Sequence, residues 1–282
     1  MVVGETFDDG VDGMTFNDLK FFLLRLLSNR NLLKNLVLRD LKNRYVGSVG
    51  GFFWSIVHPI VLLVCYHFVF AVVMAQRFGL EQYGTESFAL YLFSGILPWL
   101  MFNDTVIRNC TSVTDNPGLV TKTVIPSEVL PIAIMISNLI HHLIGLCILL
   151  AILVVSGTLQ LSAFSVLWYL PVLVLLSQGL GWLVASLNVF FRDTSQILNV
   201  LMLFWFFFTP IIYPASMVPD RFNLFVALNP MATVVAGYRS AFLELPPPPL
   251  ENVAVLMAWT LAMFLGGALF FRQSKMAFAD VL

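Results

Sequence analysis

Two apolar patterns alternate along this chain. In the first, Leu33, Val37, Leu41 and Tyr45 recur every four residues with Leu32 and Leu36 beside them, while Lys34, Arg39 and Lys42 fall largely elsewhere. That spacing predicts an amphipathic helix over residues 31–45, lying along a membrane surface with its apolar face in lipid and its cations among headgroups. A shorter helical pattern through Leu19, Phe22, Leu23, Leu26 and Leu27 precedes it, opened by Thr15-Phe16-Asn17-Asp18 at capping-box spacing. The second pattern is continuous, in runs near the roughly 20 residues that cross a bilayer. Such runs occupy 52–75 and 88–107. Residues 129–191 contain no Asp, Glu, Lys or Arg and are long enough for two crossings, with SGTLQLS (156–162) as the turn. Runs at 195–212 and 253–271 bring the expected number of spans to six.

Between the fifth and sixth runs the chain is apolar but broken by Pro214, Pro219, Asn229-Pro230 and Pro246 to Pro249. The segments 222–228 and 231–243 are each too short to cross, so they are expected to dip into the bilayer and return. The bland alternative is a loop packed on the outer surface. Within 52–75, Pro59 is expected to kink the helix.

Composition agrees with a bilayer as solvent. Of 282 residues 59% are hydrophobic and only 11% charged, against about 25% charged in ordinary soluble domains; mean hydropathy is +0.88. The net charge of −1 matters less than where the charges lie. With the N-terminus inside, twelve of the fifteen Lys and Arg fall on the cytoplasmic side, leaving Arg77, Arg221 and Arg239 outside. The positive-inside rule then places both termini in the cytoplasm. The start MVVGETFDDGVDG is acidic where a secretory signal is basic. Its DDGVDG lacks the ligands of a calcium loop, because the third position is Gly10 and the twelfth Leu19. A cytoplasmic tail with a short helix (1–29) is expected there. Cys65, Cys110 and Cys147 read as small apolar packers.

Candidate chemistry is sparse. No G-x-x-x-x-G-K-[ST], G-x-S-x-G, H-E-x-x-H or C-x-x-C motif occurs, so the chain itself is not expected to cradle a nucleotide, hold a metal or act as an enzyme. His141 and His142 are adjacent and point to different sides of a helix, which suits packing better than a shared metal. His58 and His67 share a span without an acidic partner. Asp104, Glu128 and Asp193 fall near span ends, so no intramembrane carboxylate offers ion coupling. Asp193 is placed to cap the helix that follows it. The energy for any transport is therefore expected from a partner.

Five stretches in one order carry a resemblance: RDLKNRYVGSVGGFFWSIVHP (39–59), NPGLVTKTVIPSEVLP (116–131), NVFFRDTSQI (188–197), TPIIYP (209–214) and NPMATVVAGYRSAF (229–242). Together they resemble the permease subunit of type-two ABC exporters for polysaccharides, the family of O-antigen, capsule and teichoic-acid exporters. The resemblance implies an all-α membrane protein with a transmembrane domain over 30–282, six spans, an interface helix and re-entrant helices. It makes 31–45 the interface helix, with Arg39, Lys42 and Arg44 on it. It makes the loop near 111–119 the coupling helix to an ATPase, with Thr111, Ser112, Asp115 and Asn116 as contact residues.

The implied function is export of a lipid-linked, O-antigen-like polysaccharide across the cytoplasmic (inner) membrane by a homodimer with two ATP-binding subunits. ATP and Mg would be used by those partners, with no cofactor in this chain and no nucleic acid involved. A conduit for a sugar polymer can exploit aromatic rings against its CH faces, and a buried OH or NH wants a polar partner. Tyr66, Tyr91, Trp99 and Tyr213 are the pathway candidates on that ground. The alternative is the same scaffold exporting a drug or small lipid. A membrane-embedded transferase would need a clustered carboxylate or His-Asp site, which the sequence lacks.

Overall fold

The computed structural model describes residues 29–44, 51–66, 68–69, 73, 88–121, 126–243 and 245–282. The expected helix at 19–27, His67, much of the second half of the first apolar run, Arg77 and Lys122 lie outside the described residues. Everything ordered within them is helical, with no strand. The chain runs α1 (Arg30–Asn43), α2 (Trp54–Tyr66), α3 (Phe88–Thr111), α4 (Pro117–Thr121), α5 (Val129–Val155), α6 (Val166–Phe190) and α7 (Thr194–Phe208). The short α8 (Asn223–Leu228) and α9 (Pro230–Leu243) follow, then α10 (Leu250–Ser274) and the terminal turn α11 (Phe278–Val281).

Among the described residues, four helical stretches are long and apolar enough to cross a membrane: Phe88–Thr111, Val129–Val155, Leu161–Phe190 and Leu250–Val281. They coincide with the second, third, fourth and sixth apolar runs. At 1.5 Å per residue the 15-residue α7 reaches only about 22 Å. Backbone chemistry sets the boundaries. After α5, Gly157 takes a positive φ of 71°, Thr158 N donates to Leu153 O at 3.0 Å and Gly157 N to Val154 O at 3.1 Å. This pair of bonds is a Schellman closure, which satisfies the Leu153 and Val154 carbonyls near the end of α5, where SGTLQLS was expected to turn. At α7 the expected cap is absent. Asp193 stands at the N-cap position in helical φ/ψ and makes no side-chain capping bond; the Thr194 hydroxyl instead donates to Phe191 O at 2.6 Å.

The core gathers around α3, the most enclosed of the long helices. Phe93, Trp99, Phe102 and Val106 of α3 meet Leu173 and Leu176 of α6, Leu149 of α5 and Val235 and Tyr238 of α9. Small residues bring α6 and α10 into backbone contact: a Cβ added at Gly179 would fall on the backbone of Met263 and Phe264, and one at Gly267 on that of Gly179. In lipid, where apolar side chains gain nothing from leaving solvent, such close approach is what holds helices together.

The amphipathic helix differs from its expected setting. Leu36 and Val37 are buried against Val129, Leu130 and Ala133 of α5, with Leu32, Leu33 and Leu41 partly buried beside them. The centre of the apolar face thus packs on protein instead of lipid. The period identified the face, but a helix buries that face against whichever apolar surface lies closest.

Candidate functional site

The functional side chains expected from sequence divide between the two ends of the bundle. At the end where α1 and the α3–α5 connection meet, the interface-helix and coupling residues come together. The α3 helix stops at Thr111 and the chain turns through Ser112 to Asp115, each step tied locally. Ser112 Oγ donates to Asn109 O at 2.7 Å and Thr114 Oγ1 to Thr111 O at 3.1 Å. The short helix then formed is α4, Pro117–Thr121, later than the expected 111–119. Pro117 is placed at its first position, where a missing N–H costs nothing.

Arg39 of α1 reaches across to this turn, its Nη2 donating to Asn116 Oδ1 at 3.1 Å. Asn116 in turn donates Nδ2 to Ser112 O at 2.9 Å. The next residue of α1, Asp40, accepts from Arg108 at the end of α3 and stands 3.7 Å from Arg44 Nε. Arg108 Nη1 and Arg44 both donate to Asn138 Oδ1 of α5, the former at 3.2 Å. Asn138 returns Nδ2 to Thr105 Oγ1 at 3.1 Å. Burial disfavours the charged Asp40 carboxylate. The Arg108 and Ser137 hydrogen bonds and the charges of Arg108 and Arg44 outweigh it, holding the carboxyl below its ordinary range. A cleft of about 420 Å³ opens between these elements, lined by Arg39, Asp40, Arg108, Thr111, Ser112, Asp115 and Asn116 among others.

Arg39 and Arg44 are therefore engaged with protein groups, where they were expected to sit among headgroups; Lys42 is exposed on the outer face of α1. Sequence reasoning missed Asp40, Arg108 and Asn138 as the centre of the cluster. The i, i+4 spacing of Asp40 and Arg44 was the visible signal. The partner helices were not readable from it.

At the opposite end the pathway candidates scatter. Tyr91 and Trp99 lie in the packed interior, 6% and 4% exposed. Trp99 packs on Phe102 and Phe206 at 5.8 and 5.5 Å between ring centres. Tyr213 is half-buried and donates its hydroxyl to Phe207 O at 2.7 Å. The side chain of Tyr66 is outside the described residues. Tyr91 is held by a residue that the charge pattern had placed on the outer side. Arg239 is 5% exposed, with its guanidinium 3.6 Å over the Tyr91 ring. Its Nη1 and Nη2 donate to Pro210 O and Ile211 O at 2.7 and 2.6 Å, and Nε to Tyr91 O at 3.4 Å. Gly95 makes room: a Cβ there would stand 2.9 Å from Arg239 Nη2. Asn229 completes the clamp, accepting from Trp205 Nε1 at 2.9 Å and from Met231 N at 3.0 Å, and donating to Thr209 Oγ1 at 2.9 Å. His142, buried beneath, faces Leu97 O through Nδ1 at 3.3 Å and the Tyr238 hydroxyl through Nε2 at 2.9 Å. A carbonyl only accepts, so Nδ1 carries a proton, and Nε2 is left to pair with the tyrosine hydroxyl.

What this arrangement can do is mechanical: one end ties a surface helix to a turn between long apolar helices, and the other fixes the TPIIYP segment to α3 and α9. Residues 31–243 match the family model for the ABC-2 type transporter. The chain is 32% identical to an O-antigen export system permease protein of Myxococcus xanthus, over 90% of this chain and 96% of that protein. It is 28% identical to one from Klebsiella pneumoniae (86% and 92% covered) and 24% identical to a polysialic acid transport protein of Escherichia coli (83% and 90% covered). With the family model spanning most of its length, the chain belongs to the ABC-2 type transporter family, as a membrane permease component.

Proposed function

We propose that this chain is the transmembrane permease subunit of an ATP-driven exporter that moves a lipid-linked, O-antigen-like polysaccharide across the cytoplasmic membrane. The observation that carries the reading is near full-length similarity to permeases named for O-antigen and polysialic acid transport. The junction of α1 with the 111–121 turn supports it. A rigid bridge from a surface helix to a loop between spans is what a partner ATPase needs in order to push on the membrane helices.

In this reading the chain has six spans. The first includes α2, and the fifth is α7 lengthened by the segment up to Ile212. α1 is the interface helix and α8–α9 form the re-entrant pair. Both termini are cytoplasmic. Two copies assemble with two ATP-binding subunits, which supply ATP, Mg and hydrolysis. Thr111, Ser112, Asp115 and Asn116 face that partner, with Arg39 and Arg44 bracing them from α1 and Lys42 on its exposed side. Tyr91 and Trp99 then act as the packed wall behind a pathway and Tyr213 as a nearer ring, with Tyr66 kept as a candidate for the same pathway. Deleting the gene should abolish long-chain surface polysaccharide while intracellular lipid-linked polymer accumulates, and the intact gene should restore export. Unchanged surface polymer in the deletion strain would falsify the assignment.

A further inference from the structure

A second cleft lies at the end of the bundle opposite the Asp40–Arg108 junction, and nothing above gives it a role. Its volume is about 660 Å³, within the roughly 300–1,000 Å³ of ordinary ligand sites. The floor is Tyr169 of α6, whose ring fills the space left by Gly237 of α9, where a Cβ would fall on the ring. The walls carry Gln160, Ser162 and Ser165 from the turn before α6 and Ser240 from α9, and Pro247 closes one side. The turn is pinned in place, because Ser162 Oγ donates to Ala241 O at 3.0 Å. Ser240 Oγ donates to Gly237 O at 3.0 Å, which leaves its lone pairs free to accept. Trp168, 45% exposed, stands edge-on to Tyr169 at 4.9 Å.

The chemistry of this lining is specific. Hydroxyls and a carboxamide supply donors and acceptors, Tyr169, Leu245 and Pro247 supply apolar faces, and no charged side chain is among the described lining residues. A phosphate or carboxylate would find no cation among the described lining residues, and an acyl chain would offer no partner to the Gln160 amide or to the free lone pairs of the hydroxyls. A neutral sugar ring, with hydroxyl edges and CH faces, satisfies both surfaces. We infer that this cleft is a glycan-binding subsite that holds a short stretch of the polysaccharide as it leaves the membrane. The inference rests on the export reading above, which makes this the outer end.

The test places p-benzoylphenylalanine at Gln160 or Ser165, both exposed, in cells that depend on this chain for surface polymer. Leu261, 54% exposed on α10, serves as the control position. Irradiation should convert the chain into a ladder of glycan-bearing adducts at 160 and 165, absent at 261 and absent when polymer synthesis is blocked. Continued export without glycan adducts at either position overturns the subsite and leaves the export reading standing. So do adducts only to lipid or to a second copy of the chain. Surface polymer that does not depend on the chain overturns the export reading, and the subsite with it. Where the replaced chains fail to accumulate, the wild-type full chain in nanodiscs is titrated with delipidated polymer. A saturable change in tryptophan emission, lost in Trp168→Phe and weakened about fivefold or more in Gln160→Ala/Ser165→Ala, is expected. The absence of any saturable change overturns the proposal.

Discussion

Asp40 shows how much a single residue can organise when its partners come from three helices. It sits on α1, pairs with Arg108 of α3 and lies beside Arg44, which meets Asn138 of α5. Taking such charges even partly out of water is costly, and a half-buried pair of this kind fixes geometry more surely than it adds stability. Removing one member is a different matter, because the guanidiniums remain. Asp40→Asn should cost about 2 kcal/mol at neutral pH, read as a lower unfolding temperature in detergent. Because the folded carboxyl titrates below its ordinary range, its contribution is whole above the unfolded pKa. It is lost as pH falls through the folded value. The gap between wild type and Asp40→Asn should therefore close on acidification below about pH 4. A gap that widens there would mean that Asp40 is not ionised in the fold. Arg239 makes the complementary point. It was counted only as one of the outer charges, yet three backbone carbonyls and the Tyr91 ring take it out of solvent. Burial is invisible to a count of charges.

At the scale of elements, what can be read from sequence follows the physics of each signal. Apolar length is dictated by the bilayer, so the helices at 88–111, 129–155, 166–190 and 250–274 lie close to where their runs predicted. The Asn-Pro at 229–230 and the glycine at 157 marked true ends, because those residues act locally. What periodicity could not supply was the identity of a neighbour. The face of α1 was legible, but its burial on α5 was not, and the α4 turn began six residues later than expected. The α6–α10 contact belongs to the same class, since two glycines far apart in sequence announce nothing until the helices meet. Gly179→Val or Gly267→Val should force the helices apart at about 1–3 kcal/mol or more, seen as loss of folded, monodisperse protein on size-exclusion. Gly266, next to Gly267 but with nothing within 4 Å of an added Cβ, should accept valine with little change. Equal damage at 266 and 267 would show that helix propensity, and not this contact, governs the site.

The whole molecule is tied together at the junction end by its last residues. Lys275 Nζ lies 2.5 Å from Glu128 Oε1 at the start of α5. Phe278 is fully buried, packing edge-on against Phe271 at 5.4 Å and tilted on Phe190 at 6.1 Å. The same cluster contains Val113 of the 111–121 turn, with Val120 of α4 packed against it. The segment that follows α10 thus supports, from below, the turn that Arg39 braces from α1. In the proposed export reading that turn is the coupling element, which transmits force only if it is held on more than one side, and a five-residue helix has little stability of its own. Phe278→Ala removes this support at a cost of about 3 kcal/mol, and the loss should be local because α10 keeps its glycine contact with α6. Amide exchange over 113–121 should accelerate by tenfold or more while α3 and α6 stay protected. In the reconstituted transporter, ATP turnover should persist as polymer export falls. Unchanged protection of that turn would show that α1 alone holds it, and would remove the C-terminal segment from the coupling path.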